Sequence, residues 1–137
     1  MITLSSSQKF NLIRTQPLTA ATLATGTGTI FYTSHFTSNV TADAAIFLAE
    51  RKSPTEISLY VPALVSWTGE SIPKQSSGQL QKTFTWPSIP PGIYDVFAVI
   101  AKSINPNTGA ISETYDNMVK DDYLIVEGIE IIDFSLT

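Results

Sequence analysis

Apolar side chains in this chain recur with a period of two, and turn-forming residues interrupt them every ten to fifteen positions. That pattern is the tightest constraint on the fold. A strand sends successive side chains to opposite faces, whereas a helix brings them back every ~3.6 residues. Lys9 to Thr15 reads as a first strand that stops near Pro17. Leu18 to Thr25 has no period and reads as a loop or a wrapping arm, so residues 1–25 are expected to form an N-terminal strand followed by that loop or arm. Gly26 to Ser34 alternates, with Gly28, Ile30 and Tyr32 on one side and Thr27, Thr29, Phe31 and Thr33 on the other. Ala44 to Arg51 holds good helix formers but is short and lies among strands. It reads as a buried strand, with a single helical turn as the alternative. Ile57 to Val65 follows, with Pro62 marking an edge or a bulge. The polar stretch Thr68 to Gly78 reads as a connection, and Leu80 to Trp86 as the next strand.

The strongest local signal is Pro90-Pro91-Gly92, a turn that opens directly into Ile93-Tyr94-Asp95-Val96-Phe97-Ala98-Val99-Ile100-Ala101. The loop Asn105-Pro106-Asn107-Thr108-Gly109 ends that strand. A short strand near Ile111 and two more, Tyr123 to Val126 and Ile129 to Phe134, joined by Glu127-Gly128, complete the chain. Connections this short exclude parallel crossovers. The expected fold class is all-β: one domain over residues 1–137, an antiparallel β-sandwich of about seven to eight strands.

Pro90 to Ala101 resembles the sixth strand of immunoglobulin-like and fibronectin-III-like domains, in which a Pro/Gly corner precedes a tyrosine whose hydroxyl bonds back to the corner. The resemblance implies that Tyr94 is that tyrosine, with Val96, Ala98 and Ile100 facing inward. The chain departs from the family in lacking the cysteine pair, and neither Trp67 nor Trp86 falls on a core-tryptophan strand. The pattern is also similar to modules on bacterial surface proteins and bacteriophage particles. If Tyr94, Val96, Ala98 and Ile100 face the core, then Ile93, Phe97, Val99 and Ala101 face outward, and Phe97 and Val99 need cover. Residues 18–25 or a long loop could supply it, or a neighbouring subunit could, since contiguous apolar patches mark contact sites. At the chain end, Ile129, Ile131, Ile132, Phe134 and Leu136 place apolar groups on both faces of a terminal strand suited to pairing with a neighbour's sheet edge. Ile93, Phe97, Val99, Ile132 and Phe134 are therefore the candidate partner face.

Composition narrows the chemistry. Eight basic and twelve acidic residues give a net charge of −4, and the Lys and Arg are scattered, which excludes a duplex-binding surface. Charged residues make up 15% of the chain, against about 25% in ordinary domains. Ser and Thr fill the difference, at roughly a quarter of the chain. A surface with so little charge repulsion tolerates close packing against neighbouring subunits. There are no cysteines, hence no disulfides and no thiol nucleophile. The only histidine, His35, has no cysteines to share a zinc ion with, and no G-x-S-x-G elbow or phosphate-binding glycine motif occurs. No cofactor, resident metal or catalytic centre is expected. The acidic segment 113–122 has calcium-type ligands without the spacing of a calcium loop. Met1 to Lys9 lacks the basic and apolar regions of a secretory signal, and no run is long enough to span a membrane.

These readings converge on a non-catalytic structural or assembly protein, a virion component such as a capsid decoration or tail subunit. Its partners would be protein subunits, in a homo-oligomer or larger assembly, with neither nucleic acid nor a membrane span involved. The alternative is a carbohydrate- or cell-surface-binding module on a bacterial surface, using Trp67 and Tyr115 as stacking platforms for a glycan.

Overall fold

The computed structural model describes residues 25–137 and, ahead of them, the backbone of three short strands. In chain order the strands are β1 (Ile2–Thr3), β2 (Lys9–Asn11), β3 (Leu18–Thr19), β4 (Thr25–Thr33), β5 (Val40–Ser53), β6 (Glu56–Leu59), β7 (Val65–Ile72), β8 (Ser77–Thr85), β9 (Gly92–Asn105) and β10 (Ala110–Val126). Seven of them have four residues or more, and the described residues contain no helix. The fold is all-β.

A large sheet runs in the order β1-β6-β5-β9-β10-β2, with β7 also pairing with β5 and β3 with β10; β4 and β8 form a separate two-stranded sheet. The long strands pair antiparallel, while β2 and β3 lie parallel to β10. The second sheet packs on the first: Ile30, Tyr32, Leu80 and Phe84 from β4 and β8 share one apolar cluster with Ala44, Val65, Trp67 and Ile100. Two layers packed in this way are compatible with a β-sandwich. The loop Asn105 to Gly109 turns as its residues dictate. The Asn105 side-chain oxygen accepts from the N–H groups of Asn107 and Thr108, and Gly109 takes a φ of +77°, which a side chain resists.

Several expectations need correction, although Ala44 to Arg51 is the strand expected, within β5 and without the alternative helical turn. Its helix formers are overridden because Ala45, Phe47 and Ala49 bury on one face and Ala44 and Leu48 on the other. Ile57 to Val65 is not one strand: the chain breaks after Leu59, passes a cis Val61–Pro62 bond and restarts at Val65. Thr68 to Ile72, expected as a connection, continues β7, because its backbone pairs with β5. The strands near Ile111 and Tyr123 are one strand, β10, with irregularities at 114–116 and 120–124. The terminal Ile129 to Phe134 forms no strand. Of the expected N-terminal strand and arm, only the short strands β1, β2 and β3 lie within the described residues ahead of Thr25.

The facing of β9 also differs. Phe97, Val99 and Ala101, expected outward, are the most deeply buried side chains of the strand, 0–1% exposed. They join Ala45, Phe47, Ile57 and Val119 in a core cluster of their own. Tyr94, Val96 and Ile100 face the other way, and Val96 and Ile100 are only partly buried. The large sheet is therefore apolar on both faces.

Candidate functional site

The expected partner face does not hold together as one surface. Phe97 and Val99 are interior. Ile93, on the same strand, is 64% exposed, and Ile132 and Phe134 stand at 88% and 81%. Cover over Phe97 and Val99 is thus found within the single chain, and what remains accessible is Ile93 and the carboxy-terminal segment.

That segment leaves β10 at Val126 and turns at Gly128, whose Cα lies so close to Pro91 that a Cβ there would sit 2.5 Å from its Cγ. Glu130 lies over Gly92, with a carboxylate oxygen 3.1 Å from where a Cβ would stand. Beyond this root the chain pairs with no strand, and Ile129, Ile131, Ile132, Phe134 and Leu136 are all 79–94% exposed. Five large apolar side chains in one unpaired stretch are far more than scattered surface hydrophobes require. From Ile132 the order is Ile, Asp, Phe, Ser, Leu, which is the alternation of a strand with one buried face.

The corner beside the tail is built by Tyr94. Its hydroxyl donates to the Pro90 carbonyl at 2.7 Å, and its ring meets Tyr60 edge-on, with centroids 5.5 Å apart. Burial, then the nearby Glu130 carboxylate, pushes the Tyr94 hydroxyl above the ordinary tyrosine range. Tyr60 is raised in the same way by burial, and then by Glu50.

Between the two sheets runs an apolar cleft of about 180 Å³, with Gly28 on one wall, Met118 and Leu124 on another, and Phe84 and Trp86 between. Gly28 makes it possible for β4 to approach the large sheet, since a Cβ there would fall 2.6 Å from Val65 Cγ1. The indole N–H of Trp86 is buried without an acceptor among the described residues. Lys120, at the rim, is the only charged residue lining the cleft among those described. Neither this cleft nor Phe31, 78% exposed on the outer face of β4, was singled out from sequence. The glycine within an otherwise apolar stripe (Gly28, Ile30, Tyr32) was the available signal for the cleft.

The glycan platform separates. Trp67 is 5% exposed, inside the core. Tyr115 is exposed and meets Phe36 edge-on at 5.3 Å. The acidic segment 113–122 belongs to β10, and two of its four carboxylates are paired with bases: Arg51 holds Asp121 at 2.9 Å and Lys102 holds Glu113 at 3.4 Å. Asp95 accepts from the backbone N–H groups of Arg51 and Asp122, tying three strands at the irregularity of β10. No three His, Asp or Glu gather as a metal-binding group among the described residues, and no helix there is long and apolar enough to cross a membrane. His35 is exposed. Compared with protein-family models, curated proteins and solved structures, the chain matches none.

Proposed function

We propose that this chain is a non-catalytic assembly domain on an immunoglobulin-like frame, serving as a virion subunit such as a capsid decoration or tail component. Two features support the frame. The Tyr94–Pro90 bond is similar to the tyrosine corner of such domains, and the packing of β4–β8 against β5–β9–β10 is similar to that of their B–E and C–F–G strand groups. Function rests on the surface rather than the frame, and one observation carries it: the exposed apolar tail from Ile129 to Leu136. Water disfavours that surface, a partner protein relieves it, and a surface rich in Ser and Thr and poor in charge offers little repulsion to a neighbour.

The test is the mass of the full chain by size exclusion with light scattering, wild type against Ile132→Asp combined with Phe134→Asp. The wild type is expected to self-associate and the variant to run as a monomer near 14.9 kDa. A wild type that stays monomeric at high concentration would sink this reading. Its virion placement is checked by sedimenting particles from an infected lysate, where the chain is expected in the particle fraction.

A further inference from the structure

We propose that the tail of one copy adds as a strand to the free edge of β4 in a second copy, laying Ile132, Phe134 and Leu136 over the cleft between the sheets. This rests on the assembly reading above and names both the donor and the receiving site.

The pairing leaves an outer side of β4, β7 and β8 without a partner strand among the described residues, and the cleft selects β4. β10 is taken on its outer side by β2 and β3, and β6 by β1. β4 pairs only with β8 among the described residues. Every second N–H and C=O of β4 therefore points away from its partner, which is the requirement for adding a strand. The cleft opens beside that same edge, since Thr27, Gly28 and Thr29 line it. A strand that alternates apolar and polar residues fits such a place: its apolar face meets the cleft and Asp133 and Ser135 face solvent.

Two further observations point to the tail as the occupant. Charge is complementary: from Glu127 onward the tail carries Glu127, Glu130 and Asp133 and no base, while the cleft carries Lys120 and no acid among its described lining. The buried Trp86 indole N–H lacks an acceptor among the described residues, and an added backbone strand brings carbonyl oxygens. Buried donors are rarely left unpaired.

The absence of cysteine makes the test clean. Copies carrying Thr27→Cys are mixed with copies carrying Ser135→Cys, and separately with copies carrying Asp133→Cys, then oxidised. These three side chains are exposed, so folding is not at risk, and they lie on the solvent side of the proposed pairing. A disulfide-linked heterodimer joining 27 to 133 or 135 is the expected product, suppressed by excess synthetic peptide 129–137. Links only between two tail cysteines would overturn this inference and leave self-association standing. So would an oligomer by light scattering with no link to Thr27→Cys. A monomeric wild type would overturn both.

Discussion

Two aromatic residues on one strand show how differently the two faces of the large sheet are held. Phe97 is fully enclosed, so Phe97→Ala leaves a void as well as losing apolar burial, and should cost about 3–5 kcal/mol in urea unfolding. Ile93→Ser, four residues earlier and 64% exposed, should change stability by less than about 0.5 kcal/mol. Tyr94 contributes through its hydroxyl. Tyr94→Phe removes the bond to Pro90, and a loss of about 1 kcal/mol is expected. The pH dependence has a definite sign. Burial, followed by Glu130, raises the Tyr94 hydroxyl in the folded state, so the fold binds this proton more tightly than the unfolded chain does. The stabilisation is complete below the unfolded tyrosine value of about 10 and is lost as the pH rises through the raised one. Urea midpoints should hold steady below that value and fall above it, less steeply in Tyr94→Phe. That Tyr94 sits at a corner was legible in Pro90-Pro91-Gly92. Which side of β9 is more deeply buried was not, because both alternate sets are apolar and period two cannot rank them.

At the scale of elements, the strands that were readable are those with one dominant face or a clear turn: β4, β8 and the start of β9. Those that were misread depend on partners distant in the chain. Thr68 to Ile72 is polar in sequence, but its backbone pairs with Val40 to Ala42, and Asp43 accepts the Gly69 N–H at 2.9 Å. Glu113 and Asp122 take positive φ within β10, a turn-like local geometry that the long pairing with β9 overrides. The small sheet is the element most exposed to disturbance. Gly28→Val would drive a side chain into Val65, and a loss of about 1–3 kcal/mol is expected from overpacking. The outward-pointing amides of β4 should also exchange hydrogen faster than those of β5 and β9 in the monomeric tail variant. The cleft escaped the sequence because a glycine marks absence of volume, and its consequence depends on which strands stand opposite.

At the scale of the whole molecule, the tail decides how copies can close on one another. Burying Ile132, Phe134 and Leu136 is worth about 1.5–3 kcal/mol for each side chain, so one tail yields about 5–9 kcal/mol. Bringing two proteins together costs an estimated 4–15 kcal/mol. A head-to-tail chain, with one tail at each contact, is therefore close to balance, whereas mutual exchange sets two tails against a single association cost. Two-fold closure is also self-limiting, unlike an open filament. The expected species is a dimer of twice 14.9 kDa, held mainly by apolar contact. Such a dimer should survive ~1 M NaCl, where exposed charge pairs are screened, and should weaken on cooling as hydrophobic association fades. Sedimentation equilibrium at two salt concentrations and two temperatures checks this. Dissociation by salt alone would assign the contact to Lys120 and the tail carboxylates instead of to Ile132, Phe134 and Leu136.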